Sequence, residues 1–350
     1  MDDSPNTDYR KTLVECAQLG DHAAVIRLLG QGADSCRQAS TALREAAENG
    51  HVECVKLLIP VSDPKENLSI ALRMAALHGR LECLKLLIPV SDAEADASNA
   101  LRWAAENGHA ECVELLIPVS NPKAANSIAL RMAARRGHLE CLKLLIPVSH
   151  AEEDASYALC GAAVNGHLEC VKLLIPFSDP KDYSSEALRR SAENGHAECV
   201  RLLIPVSDPK ANDSAPLFSA AAEGHAECVR LLIPASNPKA RDSYALCLAA
   251  SNGHLECAKQ LISVSGPLLH NKKALAAVLD VDSAEILSLM LAAEPLLLSD
   301  GVLESLLSSA KSMKRPNLAA FLSSIVEKAS LAATLPDPEA SARPSLSLRL

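Results

Sequence analysis

Aromatic side chains are scarce in this sequence, which holds one Trp, four Tyr and three Phe in 350 residues although 49% of its residues are hydrophobic. The core is therefore expected to consist of Leu, Ala, Val and Ile, which suits thin layers of packed helices. Long apolar runs are also lacking, because no stretch reaches the roughly 18 residues that a membrane-spanning helix needs. The nearest approach, residues 286–298, is broken by Glu294 and Pro295.

Basic residues are also fewer than acidic ones, 34 Lys and Arg against 43 Asp and Glu. The formal net charge is −9, whereas phosphate binding needs a concentrated basic surface, so nucleic acid is not an expected partner. The N-terminal residues 1–11 are polar and lack the basic start and apolar centre of a signal peptide. These absences predict a cytoplasmic protein with no membrane partner.

The residue patterns of common enzymes are missing too. The chain has no Cys-x-x-Cys pair, Gly-rich phosphate loop or nucleophile elbow. Its His and Cys residues mostly recur at one position in successive copies of a repeat, which is typical of structural residues. We therefore expect no catalytic residue, no metal site and no cofactor.

A repeated unit dominates what the sequence does contain. A Gly returns every 29 residues, and a Cys follows each one at the same period. A fixed period of this size indicates a solenoid of stacked supersecondary units. The glycines are Gly50, Gly79, Gly108, Gly137, Gly166, Gly195, Gly224 and Gly253, and the cysteines are Cys54, Cys83, Cys112, Cys141, Cys170, Cys199, Cys228 and Cys257.

These recurring cysteines are predicted to be free thiols in the core. Neighbouring helices pack about 8–10 Å apart, which exceeds the roughly 7 Å between Cα atoms that a disulfide spans. Free thiols favour a reducing compartment. Cys160 and Cys247 fall where other copies have Arg, and the sequence leaves open whether either is reactive.

Each copy reads as two helices and a loop. A Ser such as Ser98 stands where the N-cap of a first helix is expected, and Asn107-Gly108 supplies a left-handed C-cap. A second helix, such as His51 to about Ile59, is followed by a Pro that ends it. The flanking apolar residues recur at intervals of three and four, which favours helices over a β-hairpin.

The unit resembles the ankyrin repeat. The resemblance rests on the pattern ALRxAAENGHxECVKLLI and is closest at Pro216 to Ile233, PLFSAAAEGHAECVRLLI. Each copy is about four residues shorter than the family's usual repeat, and the missing residues come from its β-hairpin finger. The resemblance implies an all-α solenoid with short or absent fingers, and a role in protein contacts.

The predicted organisation has four parts. Residues 1–39 form an N-terminal segment and capping repeat, and residues 40–271 form the eight 29-residue repeats. Degenerate capping repeats follow over residues 272–330. Residues 331–350, rich in Pro and Ser towards the end, are predicted to be disordered.

The two exposed helix edges differ across the copies. At about 100° per residue, Trp103 lies about 200° from Leu101 and points away from the core. The second-helix edge repeats a Glu that faces Lys or Arg three residues on, as a solvated face does. The first-helix edge varies, and its residues Ile70, Met74, Trp103, Ile128, Met132 and Tyr157 form a predicted apolar strip bordered by Arg73, Arg102 and Arg131.

We interpret this strip as the partner-binding site of a non-enzymatic scaffold, on the concave face. An exposed apolar strip indicates an interaction surface, and Trp is a frequent binding anchor. The expected partner is a protein with an apolar segment flanked by acidic residues. The alternatives are that Trp103 only packs over Met74 and Met132 and that the arginines pair along the helix, Arg102 with Glu106 and Arg44 with Glu48. At the level of function, the protein is alternatively an effector delivered into host cells or an inert spacer.

Overall fold

The computed structural model describes residues 12–32, 36–149, 152–266 and 272–334. This part of the chain is helical and contains no β-strand. It divides into two compact units. The first holds the described residues up to Ser191 together with Arg201–Ser207, and the second holds Ala192–Val200 and the described residues from Asp208 onwards.

The helices alternate between a first and a second helix of each repeat. Up to Leu174 they are α1 Leu13–Leu19, α2 His22–Gly30, α3 Cys36–Asn49, α4 Val52–Leu58, α5 Glu66–Leu77, α6 Leu81–Leu87, α7 Ala95–Glu106, α8 Ala110–Leu116, α9 Ala124–Arg136, α10 Leu139–Leu145, α11 Glu152–Val164 and α12 Leu168–Leu174. Both units contribute residues to α13 Asp182–Glu193 and α14 Ala197–Leu203. The second unit continues with α15 Ala211–Ala222, α16 Ala226–Leu232, α17 Ala240–Ser251, α18 Leu255–Ile262, α19 Lys272–Val281, α20 Ala284–Ala293, α21 Asp300–Ser312 and α22 Pro316–Thr334.

Stacking of equivalent helices builds the core of the first unit. The first helices α3, α5, α7, α9 and α11 pack each on the next, and the second helices α4, α6, α8, α10 and α12 do the same. Leu101, Ala104 and Ala105 of α7 are fully buried, and the small alanines allow the helix backbones to approach closely. The predicted solenoid architecture and the absence of β-hairpin fingers are thereby confirmed for the described residues.

The step between the helices of a pair follows the predicted Asn-Gly cap. Asn107 is the C-cap of α7, and Gly108 adopts a left-handed φ of 79°. The backbone N–H of His109 then donates to the carbonyl of Ala104 at 2.9 Å, which satisfies a carbonyl that the helix end leaves open. His109 is the N-cap of α8.

The histidines that start the second helices tie each repeat to the one before. Nε2 of His109 donates to the backbone carbonyl of Leu77 at 3.0 Å, and His138 makes the same bond to Glu106. Arg80, which replaces His in its repeat, donates through Nε to the carbonyl of Glu48 at 3.0 Å. The His column is therefore structural in these copies.

The predicted N-cap role of the recurring Ser is wrong. Ser69 is buried and its Oγ accepts a hydrogen bond from the backbone N–H of Asp92, 23 residues later, at 2.8 Å. Ser98 accepts from Asn121 in the same way, at 2.9 Å. The loops of successive repeats are thus joined through these hydroxyls, because a buried amide needs an acceptor.

A left-handed turn replaces the β-hairpin finger in several repeats. Asn67, Leu68 and Ser69 have φ values of 49°, 57° and 57°, a region that costs non-glycine residues about 1–2 kcal/mol each. The right-handed helix proceeds from Ile70. By contrast, α3 and α11 contain no such turn among their described residues.

The prolines that follow the second helices α4, α6, α8, α10 and α12 lie inside a short 3₁₀ turn. Pro118 belongs to the turn Ile117–Val119, which directly continues α8. The predicted ends of the second helices are correct to within about one residue. Pro is accepted at the start of the new helical turn because its ring fits there and it has no N–H to leave unsatisfied.

The second unit ends in less regular pairs. α21 and α22 pack on each other, and the carboxylate of Asp282 accepts from the backbone N–H groups of Asn317 and Leu318 at the start of α22. α22 continues to Thr334 and so includes the first four residues of the predicted disordered tail 331–350. The rest of this tail, from residue 335, lies outside the described residues. None of the described helices is both long and apolar enough to cross a membrane.

Candidate functional site

The predicted apolar strip lies on the first helices of four successive repeats in the first unit. Ile70 and Met74 are on α5, Trp103 is on α7, and Ile128 and Met132 are on α9. All five are half-buried, and Tyr157 of α11 is the more open member at 39% exposure. The strip is therefore accessible but less prominent than a fully exposed row of side chains.

Two guanidinium groups cover the indole of Trp103. Cζ of Arg73, one repeat earlier, lies 5.3 Å from the ring centroid, and Cζ of Arg102 lies 5.8 Å from it. Both distances are within the range of cation–π attraction. The side chain of Arg73 is also held by a hydrogen bond from Nη2 to the carbonyl of Asn67 at 2.7 Å. These contacts fix Trp103 in place and surround it with positive charge.

A second arginine–aromatic group continues the strip. Cζ of Arg131 lies 5.1 Å from the ring centroid of Tyr157, and this ring lies 5.1 Å from that of Tyr183 at an interplanar angle of 36°. Tyr183 is 50% exposed. The pattern repeats the first one, because an arginine of one repeat again lies over an aromatic ring of the next.

Ion pairs close the strip at both ends. At one end Arg44 pairs with Glu45. At the other, Glu186 accepts from Nε of Arg189 at 2.8 Å and from Nε of Arg190 at 2.7 Å. Burial opposes the charge of this carboxylate, but the hydrogen bonds from the two arginines outweigh it and lower the pKa of Glu186.

The middle of the strip keeps its positive charge. No carboxylate among the described residues forms an ion pair with Arg102 or Arg131. Nε of Arg102 is buried without a hydrogen-bond partner in the same part of the chain. A protein of net charge −9 therefore presents a local cationic and aromatic surface.

The pairings expected along the helix are wrong. Glu106 binds Nη2 of Arg136, at 3.0 Å, rather than Arg102, and Arg44 binds its neighbour Glu45 rather than Glu48. The ring of Trp103 also has two guanidinium groups within cation–π distance, so it does more than pack locally on apolar side chains. The opposite, second-helix edge does have the predicted solvated pairs, for example Lys56 with Glu53 at 2.7 Å and Lys85 with Glu82 at 2.6 Å.

The eight recurring cysteines are buried free thiols, as predicted. Burial raises the pKa of Cys83 and of Cys112 to about 11. Burial, followed by the nearby carboxylate of Glu186, raises the pKa of Cys160 to about 12, and Cys247 is buried. Cys160 therefore lacks the lowered pKa of a reactive thiol. The described residues include no group of His, Cys, Asp and Glu that is arranged to hold a metal.

Sequence reasoning missed Tyr183 and the guanidinium stacking. Tyr183 lies in a left-handed turn, at a place where most other copies have Asn or Asp, and this departure was a usable signal. The stacking of Arg73 on Trp103 depends on side-chain rotamers across two repeats. The period brings the two residues close but does not orient them.

Comparison with known protein families identifies the family to which this stack of helix pairs belongs. The family model for ankyrin repeats (3 copies) matches residues 13–99, 72–157, 130–213, 159–242 and 206–273. These matches cover well over half of the chain, which therefore belongs to the ankyrin-repeat family. Members of this class generally serve as protein–protein interaction modules.

A solved structure similar to this chain is the ankyrin repeat domain of human ASB11. The likeness has a TM-score of 0.43 and 22% sequence identity, and covers 51% of this chain and 96% of the other. The family assignment rests on the repeat match alone. A comparison with curated proteins finds no match.

Proposed function

We propose that this protein is a non-enzymatic scaffold that binds a partner protein along the first-helix strip of Ile70, Met74, Trp103, Ile128, Met132 and Tyr157. The observation that supports this most is the indole of Trp103 with Arg73 and Arg102 placed over it. Trp and Arg are the residues most often found as binding anchors. Here both occur at half-buried positions that a partner can cover.

The charge of the strip selects the chemistry of the partner. Arg102 and Arg131 have no ion-pair partner in the described part of the chain, although each lies near an aromatic ring. A guanidinium within cation–π distance of a ring keeps N–H donors that a carboxylate can accept. The partner segment is therefore apolar and carries acidic residues.

The repeat spacing suggests how those acids are arranged. Neighbouring helices pack about 8–10 Å apart, and an extended peptide advances about 3.3–3.6 Å per residue. One repeat thus corresponds to about three residues of an extended segment. A partner that crosses α5, α7, α9 and α11 would present a carboxylate at roughly every third position.

The single tryptophan makes a direct test possible. The probe is a short synthetic peptide in which a glutamate is followed by two β-branched residues throughout, titrated into the full chain while the emission of Trp103 is followed. We expect a saturable change in emission. A peptide of the same composition with its glutamates grouped at one end should bind about tenfold more weakly, which is about 1.4 kcal/mol.

Variants identify the surface that responds. With a fluorescent label on the peptide, Trp103→Ala and Arg102→Gln should each weaken binding while helicity by circular dichroism stays the same. Tyr244→Ala is the matched control, because Tyr244 occupies the Tyr157 position of another copy, is also 39% exposed and lies outside the strip. Equal binding by Trp103→Ala and by the native chain would rule out the strip as the binding site.

A further inference from the structure

We infer that the first unit also contains a binding site for a small, uncharged apolar molecule, located between the repeats of α9–α10 and α11–α12. A cavity of about 740 Å³ opens there, within the range of sites that enclose small ligands. The strip residues do not line it. It is lined by Leu130, Lys143, Ile146, Pro147, Ser149, Ala155, Leu173, Pro176, Phe177 and Ser178.

A change in the backbone helps to create this cavity. The neighbouring first helices α9 and α13 begin with a left-handed turn, whereas the described residues of α11 are right-handed throughout. Ala155 is consequently 2% exposed, although Leu68, its equivalent in the repeat of α5, is 54% exposed. A small methyl side chain therefore stands where the helix approaches the cavity.

A departure in sequence lies at the same place. Phe177 is 46% exposed and lines the cavity from the 3₁₀ turn after α12. The equivalent residue is valine in six other copies, and the remaining copy has Ala235. The valines are Val61, Val90, Val119, Val148, Val206 and Val264. An aromatic ring at the edge of an apolar cavity offers a stacking surface for a planar ligand.

The hydrogen bonds between loops are interrupted at this cavity. In four other copies a loop Ser donates to a carbonyl of the preceding loop, as Ser120 does to Ala93 at 3.3 Å and Ser207 does to Pro180 at 3.2 Å. In the first and last copies, Ser62 donates within its own turn and Oγ of Ser265 has no hydrogen-bond partner within the described residues. Ser178 instead donates to Leu174 of its own helix, at 2.9 Å. Oγ of Ser149 is buried with no hydrogen-bond partner within the described residues. Both interrupted serines line the cavity.

These features define the chemical class of the ligand. Most of the lining is aliphatic or aromatic, so the body of the ligand is apolar. The ammonium of Lys143 is already paired with Glu140 at 2.7 Å, so the lining offers no unneutralised charge and the ligand is uncharged. The hydroxyl of Ser149 favours one hydrogen-bonding oxygen on the ligand, because a buried hydrogen bond that is not made is destabilising.

The probe that matches this class is 1-naphthol, titrated into the full chain by isothermal titration calorimetry, with 1-naphthalenesulfonate as its anionic counterpart. We expect one saturable site for the naphthol and at least about tenfold weaker binding of the sulfonate, since a charge without a partner is costly to bury. Absence of saturable naphthol binding, or tighter binding of the sulfonate, would overturn the inference.

Four variants locate the site. Ala155→Leu fills the cavity and should abolish binding, and Phe177→Val, which restores the residue of six other copies, should weaken it several-fold. Ser149→Ala should weaken binding about tenfold, while the control Ser120→Ala, at the same position of another repeat, should leave it unchanged. If Ala155→Leu keeps its helical circular dichroism and binds like the native chain, the site is not this cavity; equal losses in Ser149→Ala and Ser120→Ala would also contradict it.

Discussion

The imidazole of His109 packs directly on the α-carbon of Gly79 in the preceding repeat. A β-carbon added at Gly79 would lie 2.5 Å from Nδ1 and 2.7 Å from Cε1 of this ring, and Gly79 has a left-handed φ of 66°. Nε2 of the same ring donates to the carbonyl of Leu77. The recurring Gly therefore has two roles. It forms the turn within its own repeat, and it makes room for the His of the next repeat.

Replacement of this glycine should destabilise the stack. Gly79→Ala forces a non-glycine residue into the left-handed region and pushes the imidazole away from Leu77, at a cost of about 2 kcal/mol or more. The measurement is urea unfolding followed by circular dichroism. The matched control is Gly161→Ala, because Gly161 lies within α11, where a new β-carbon meets Arg135 at an ordinary 3.6 Å. Gly161→Ala should stabilise by about 0.5–1 kcal/mol, and a loss of stability equal to that of Gly79→Ala would contradict this account.

The buried serines should prove to be loop ties rather than helix caps. Ser98→Ala removes the acceptor of the Asn121 backbone N–H and should cost about 1 kcal/mol. Hydrogen exchange distinguishes the two roles. We expect faster exchange of the amide of Asn121, 23 residues away, with little change in the amides that begin the right-handed part of α7. Faster exchange in α7 alone would restore the N-cap interpretation.

The sequence predicted the helix pairs well, because their signals are local. Apolar spacing, the left-handed Gly of Asn107-Gly108 and the proline after most second helices act within a few residues of one another. Burial of Leu101, Ala104 and Ala105 follows from helical periodicity alone. Repetition strengthened each signal, since every copy has to satisfy the same packing.

The errors arose where residues of different repeats meet. The hydroxyl of Ser98 has two possible donors, one in its own helix and one 23 residues later, and the periodic pattern does not choose between them. Arg102 and Glu106 are spaced for pairing along a helix, but Glu106 instead forms an ion pair with Arg136 of the next repeat. The cavity beside Phe177 depends on the backbone of α11, which no local motif specifies.

The buried thiols should make stability depend on pH in the alkaline range. Burial raises the pKa of Cys83, Cys112 and Cys141 to about 11, from an ordinary value of 9.0. Between these values the unfolded chain loses thiol protons that the folded chain keeps. The free energy of unfolding contributed by these groups is therefore intact below pH 9 and falls as pH rises towards about 11.

Urea unfolding at a series of pH values tests this, with the Cys83→Ala, Cys112→Ala, Cys141→Ala triple variant as reference. The variant removes three of the shifted groups and leaves the other alkaline titrations in place. Its stability should decline less steeply than that of the native chain between pH 9 and 11. Parallel declines would mean that the thiols are not protected from titration by the fold.

Removal of the carboxylate that neutralises two arginines at the end of the strip should strengthen binding of an acidic peptide. Glu186 neutralises Arg189 and Arg190 through hydrogen bonds of 2.6–2.8 Å, so Glu186→Gln makes the strip more positive next to Tyr183. The peptide with regularly spaced glutamates should bind about three- to tenfold more tightly, with a steeper dependence on salt. Glu53→Gln changes the net charge equally on the second-helix edge, where Glu53 pairs with Lys56, and should have little effect. If the two variants gain affinity equally, binding responds to net charge and the arginines of the strip do not select the partner.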